Sequence, residues 1–237
     1  MKYPIGIQSF DQIINDDYVY VDKTELIYRL VTEGKIYFLS RPRRFGKSLL
    51  VSTLKNYFSG KKDLFKGLAI EALEKDWLEY PVFHIDFNGN DFTKAGTLED
   101  MIEGTVASWE TIYGKDPNFH NIGKRFSYVL AQAHKKYGRR AVVLIDEYDK
   151  PLLQSIGNKG VQTELRNTLK PFYGVLKTMD GCIKFALLTG VTKFGKVSVF
   201  SDLNNLRDIS MLPEYSRICG ISENELHTCF KKDIEEL

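Results

Sequence analysis

The chain has 237 residues, 43% of them hydrophobic and 27% charged, which is ordinary for a globular protein long enough to bury a core without disulfides or metals. Thirty-three basic residues against 31 acidic ones leave a formal net charge of +2, so bulk charge argues neither for nor against a nucleic-acid coat. No apolar run approaches a membrane span and the first residues (MKYPIGIQSFDQ) lack a signal-peptide core, which sets the expectation of a cytoplasmic protein with no membrane partner.

Asp22-Lys23-Thr24-Glu25 has the D-x-x-E spacing of a capping box and predicts a helix with Leu26, Ile27, Leu30 and Val31 on one face and Gly34 as its stop. Ile36–Leu39 is a short apolar run of β-formers and reads as a buried strand. A loop from Ser40 to Gly46 leads into a predicted helix over Lys47–Ser59, ended by Gly60. Beyond it come a helical stretch around Leu64–Leu78 and a strand over Pro81–Phe87. A helix opening at Thr97 turns Leu98, Met101, Ile102, Trp109 and Ile112 inward. The next helix carries Phe126, Val129, Leu130 and Ala133. Ala141–Ile145 is the most apolar strand of all. A helix through Leu165, Leu169, Phe172, Leu176 and Met179 follows, with Pro171 expected to kink it, and then a strand over Ile183–Leu188. Leu206–Met211 reads as a short fifth strand, and Ser222-Glu223-Asn224-Glu225 is another S-x-x-E helix start. Alternating strands and helices imply βαβ units and a mostly parallel sheet covered on both faces.

The chemistry starts at Arg41-Pro42-Arg43-Arg44-Phe45-Gly46-Lys47-Ser48, set between the first strand and a helix. It follows the phosphate-loop pattern G-x-x-x-x-G-K-[ST], with Arg41 in place of the first glycine. Backbone N–H groups at such a helix start point at phosphate oxygens, Gly46 lets the backbone approach, Lys47 brings a positive charge, and the Ser48 hydroxyl can ligate Mg²⁺. A basic surface turn, or a basic nucleic-acid or targeting patch, is the plainer reading of the loop alone; the flanking Leu39, Leu49 and Leu50 argue against an exposed tag.

Ala141–Ile145 runs into Asp146-Glu147, placing two carboxylates at the carboxyl edge of a buried strand, where open α/β sheets bind ligands. Asp146 there would hold Mg²⁺ and Glu147 would orient the attacking water. The distance along the chain from Lys47 leaves room for an additional strand between the two motif strands. The later strand ends in Thr189-Gly190, followed by Val191-Thr192-Lys193, where a polar group can reach a γ-phosphate or the water.

These segments together, YPIGIQSFDQII, YVDKTELI, FLSRPRRFGKSLL, VLIDEYDKP, LLTGVTKFGKVSVFSDLNNLRDIS and ICGISENEL, resemble the predicted AAA-ATPase-like family of bacterial and archaeal P-loop ATPases, often fused to a C-terminal PD-(D/E)XK nuclease-like domain. The resemblance implies a three-layer α/β/α sandwich over residues 1–218, and in 219–237 the start of a lid or C-terminal helical region cut from a longer protein. It implies that Arg41 is a family trait. It implies Arg43, Arg44, Phe45, Gly46, Lys47, Ser48, Leu49 and Thr189 as ATP-binding residues, Ser48 and Asp146 as metal ligands, and Glu147 with Lys47 as the catalytic groups. Tyr20–Thr24 would contact the adenine or brace the loop. Partners would be ATP, a nuclease-like domain or nucleic acid in the full-length protein, and further copies of the chain.

Other residues carry plainer readings. Arg43, Arg44, Arg207 and Arg217 read as surface arginines before arginine fingers, His84 as a packed strand residue, Asp86 as a turn residue, and Trp77 and Trp109 as core on helical faces. Cys182, Cys219 and Cys229 are odd in number and widely spaced, which excludes a disulfide framework and a cysteine zinc site. The expected activity is Mg²⁺-dependent hydrolysis of the β–γ bond of ATP, regulating an effector domain outside this chain. The alternatives are a nucleotide-dependent scaffold with negligible turnover and a P-loop kinase, against which the water-positioning Glu147 argues.

Overall fold

The computed structural model describes residues 2–192 and 205–235. Five parallel strands form one sheet: β1 (Ile36–Ser40), β2 (Val82–Asp86), β3 (Ala141–Asp146), β4 (Ile183–Gly190) and β5 (Arg207–Asp208), in the order β2-β3-β4-β1-β5. The strand between the phosphate-loop strand β1 and the acidic strand β3 is therefore β4, which supplies the additional strand. Register sets Leu39 beside Thr189, Ser40 beside Gly190 and Asp86 beside Asp146, so the ends of four strands come out at one edge.

In chain order the helices are α1 (Phe10–Asn15), α2 (Thr24–Glu33), α3 (Lys47–Phe58), α4 (Ala69–Leu73), α5 (Thr97–Tyr113), α6 (Ile122–Tyr137), α7 (Lys150–Gln154), α8 (Lys159–Thr178), α9 (Glu223–Cys229) and α10 (Lys231–Glu235). They cover both sheet faces because the strands alternate between two apolar sets. Ile36 and Phe38 join Phe83, Ile85, Val143, Ile145 and Leu188 against α5, α6 and α8. Tyr37 and Leu39 join Val142, Leu144, Phe185 and Leu187 against α1 to α4. Each side chain fully buried this way contributes about 1.5–3 kcal/mol, so the layers hold without a covalent cross-link. The three cysteines are free thiols. Cys219 is buried, and that burial pushes its thiol up to about 12.

Four local expectations need correction. The Leu64–Leu78 stretch is a 3₁₀ turn over Lys62–Phe65 followed by the five-residue α4, and Trp77 lies after it with φ +43°. Its ring still packs on Tyr57 and Phe65, so it lies half-buried against the core without being helical. Asp22 does not close a capping box. Its Oδ1 accepts from the Thr24 N–H and hydroxyl, and its Oδ2 from the Ala69 N–H at 2.7 Å, tying α2 to α4. Ile112 is 54% exposed on the outer side of α5, whereas Trp109, one turn earlier, is buried against Phe83 and Phe126. The fifth strand shrinks to Arg207–Asp208, paired with Tyr37 and Phe38.

Helix α8 runs through Pro171 as one element, and a Cβ at Gly123 of α6 would sit 2.9 Å from the Pro171 carbonyl oxygen, so only glycine allows that approach. Ser222 and Glu225 do form the reciprocal box that starts α9. His84 packs in β2 with a buried, unpartnered Nε2; burial and the positive charge of Lys55 lower its pKa.

Candidate functional site

The loop between β1 and α3 makes its turn with two left-handed residues, Arg44 at φ +65° and Gly46 at φ +82°. Gly46 caps α3, so the first N–H groups of a twelve-residue helix open toward the carboxyl edge of the sheet. Lys47 is 4% exposed and its ammonium donates back across the loop, to the Arg41 carbonyl at 3.1 Å and the Pro42 carbonyl at 3.2 Å. The same ammonium lies 3.4 Å from the Glu147 carboxylate. Ser48 is half-buried in the first turn of α3, while Arg43, Arg44 and Phe45 are exposed.

Arg41 has a structural use that a glycine could not supply. Its guanidinium donates to the carbonyls of Ser40, Ser210 and Tyr215, and Ser40 N–H donates to the Ser210 hydroxyl at 2.8 Å. The phosphate loop is thereby braced against the segment that follows β5. Replacing Arg41 with Ala removes three hydrogen bonds to carbonyls, of which the Tyr215 carbonyl keeps a second donor, the Ile218 N–H, and should cost about 1–2 kcal/mol and lower Tm by a few degrees, read by thermal denaturation. A Tm unchanged within a degree would rule the brace out.

At the end of β3 the Asp146 carboxylate is 2% exposed; its Oδ1 accepts from the Thr189 hydroxyl and from Glu147 N–H at 3.0 Å. Glu147 itself takes a left-handed φ of +54°. The structure therefore brings Lys47, Asp146, Glu147 and Thr189 together across the ends of β1, β3 and β4. Of the segment after β4, residues 193–204, with Lys193 among them, lie outside the described residues.

Beside the loop is a cavity of about 370 Å³ with apolar walls from both ends of the chain, among them Tyr20, Phe45, Leu49, Ile218 and Phe230. Phe45 and Leu49 stand on it directly, and a Cβ at Gly220 would come within 3.2 Å of the Phe45 ring. Lys23 lines it too, paired with Glu225 of α9. Sequence reasoning placed Tyr20–Thr24 near the loop but missed that pair, because 202 positions separate the partners.

The donor set suits a hard cation. Ser48 and Asp146 offer only oxygens, and no group of three His, Cys, Asp or Glu residues able to hold an ion is found among the described residues. A cation here would complete its shell with phosphate and water oxygens, the mode Mg²⁺ favours. Arg207 pairs with Glu214 and stacks over Tyr215, and Arg217 is exposed; Asp86 accepts from Asn88 as a turn residue. Among the described residues no helix is long and apolar enough to cross a membrane.

A protein of Azotobacter chroococcum mcd 1, named "Uncharacterized protein in vnfD 5'region", is 43% identical over 238 aligned positions; the match covers all of this chain and 46% of that one. The chain thus spans less than half the length of that relative. No solved structure matches it. The sequence profile of the family described as "Predicted AAA-ATPase" matches residues 4–200, which takes in the phosphate loop, the acidic strand end and Thr189, and the chain belongs to that family.

Proposed function

We propose that this chain binds ATP with Mg²⁺ and hydrolyses its β–γ bond. The observation that carries the reading is the meeting of a buried lysine, a buried aspartate, a half-buried glutamate and a buried threonine at the ends of three adjacent strands, beside a helix start.

The roles follow from that placement. Phosphate oxygens would lie against the N–H groups of the loop and of the first turn of α3, with Lys47 neutralising the γ-phosphate. Ser48 and Asp146 would hold Mg²⁺, which would supply charge neutralisation to the phosphates. Thr189 keeps the Asp146 carboxylate fixed through its hydrogen bond. Glu147 polarises and aligns the attacking water. Its present partner is Lys47, so a phosphate drawing Lys47 away would release Glu147 for that work. The apolar cavity would take the base, with Phe45 and Leu49 against its faces and Lys23 at its rim. Arg43 and Arg44, exposed on the loop, would add contacts to the phosphates. The effector of hydrolysis belongs to chain beyond this segment, as the greater length of the relative suggests.

The test is calorimetric titration of ATP with Mg²⁺, followed by phosphate release from the same sample. Binding with release is expected. Binding without release, even over hours, would favour a nucleotide-locked scaffold, and no heat at millimolar ATP would overturn both readings.

A further inference from the structure

Asp149 has no part in the roles above, yet it is the most completely buried carboxylate near the site, with 0% exposure. Its Oδ2 accepts three hydrogen bonds from the exit of β4: Val191 N–H at 2.9 Å, Thr192 N–H at 2.7 Å and the Thr192 hydroxyl at 2.9 Å. Its Oδ1 is buried with no hydrogen-bond partner. A buried carboxylate with one bare oxygen is costly, so its retention calls for a compensating use.

The neighbouring contacts show where that use lies. Tyr148 N–H donates to the Thr189 carbonyl at 2.9 Å, and the Tyr148 hydroxyl to the Thr192 carbonyl at 2.7 Å. Arg41 N–H donates to the Gly190 carbonyl at 3.1 Å, so the same turn also touches the start of the phosphate loop. There is no slack in it: a Cβ at Gly190 would fall 2.5 Å from the Tyr148 ring and 2.7 Å from the Asp149 carboxylate. Glu147 sits between two pinned points. Before it, Asp146 ends β3; after it, Tyr148 and Asp149 are fastened to β4. A left-handed backbone at a residue other than glycine is unfavourable by about 1–2 kcal/mol and persists only where its surroundings impose it.

We propose that Asp149 is a positioning residue: by latching the turn after β3 to the turn after β4, it imposes the left-handed conformation of Glu147 and keeps its carboxylate over the Lys47–Thr189 site. The proposal rests on the ATPase reading for its kinetic consequence, but the latch itself can be read without turnover.

The experiment compares wild type, Asp149→Ala, Asp149→Asn and the milder Thr192→Val, each as the full chain with Mg²⁺ and ATP. Asp149→Ala should lower kcat at least tenfold with the Kd for ATP within threefold of wild type. Asp149→Asn keeps a neutral acceptor and should recover most of that loss, and Thr192→Val should lower kcat two- to fivefold. Amide exchange at Val191, Thr192 and Tyr148 should quicken at least tenfold in Asp149→Ala and much less in Asp149→Asn. Should Asp149→Ala not fold, Thr192→Val decides by the same split. An unchanged kcat, or a kcat that falls only in step with lost ATP binding, overturns the positioning role. If wild type itself does not turn over, the ATPase reading fails separately, and unchanged exchange in Asp149→Ala would then sink the latch.

Discussion

Lys47→Ala is expected to weaken ATP binding roughly 30- to 100-fold. The ammonium is almost fully withdrawn from water, with a side-chain exposure of 3%, and its charge is already used by the Glu147 carboxylate and two loop carbonyls. A charge-assisted hydrogen bond at such a site contributes about 1.5–3 kcal/mol, and each 1.4 kcal/mol is a factor of ten in affinity. The variant also leaves Glu147 without its cation, which adds repulsion toward a triphosphate. Calorimetry with ATP and Mg²⁺ measures the change directly. A Kd within threefold of wild type would show that Lys47 does not face the phosphates.

Glu147→Gln should do the opposite to binding. The glutamine keeps the size of the side chain and loses the charge that holds Lys47, so ATP should bind as tightly as to wild type or more tightly. Turnover should fall by about 10²- to 10⁴-fold, the usual contribution of a group that activates the reacting water. Steady-state phosphate release and equilibrium binding on one preparation separate the two effects. If release persists at a third of the wild-type rate or better, the water is aligned by something else, and the assignment of Glu147 fails.

Those two variants act on residues that the bare sequence already singled out, and the reason is physical. Strands buried on both faces must be nearly continuous apolar runs, so Ile36–Leu39, Ala141–Ile145 and, interrupted only by Lys184, Ile183–Leu188 stand out, and the polar residues just past them mark the edge where ligands bind. What escaped notice was set by partners distant in sequence. Asp22 has the spacing of a cap, but the Ala69 N–H claims one of its oxygens. Trp77 fits a helical pattern until Tyr57 and Phe65 draw it against the core from a turn. The six-residue α1 buries only Phe10 and Ile13, too few to show a period. The left-handed turns at Arg44 and Glu147 leave no trace either, because no glycine marks them. Nothing in the sequence singled out Asp149, and only its contacts with Val191 and Thr192 give it a task.

The cavity beside the phosphate loop has a consequence for how the protein is made. One wall comes from Tyr3 to Lys23 and another from Ile218 to Phe230, with the loop between them. Contacts that span so much chain form late, since the closure of a long loop must precede any gain from it. During synthesis the central sheet can assemble from β1 to β4 while the cavity still lacks a side. Until Phe230 has left the ribosome and α9 has met Lys23, a nascent chain has its phosphate loop beside an unfinished cavity, the proposed seat of the base. Nucleotide should therefore guard the finished protein against unfolding far better than it speeds the folding of the newborn one.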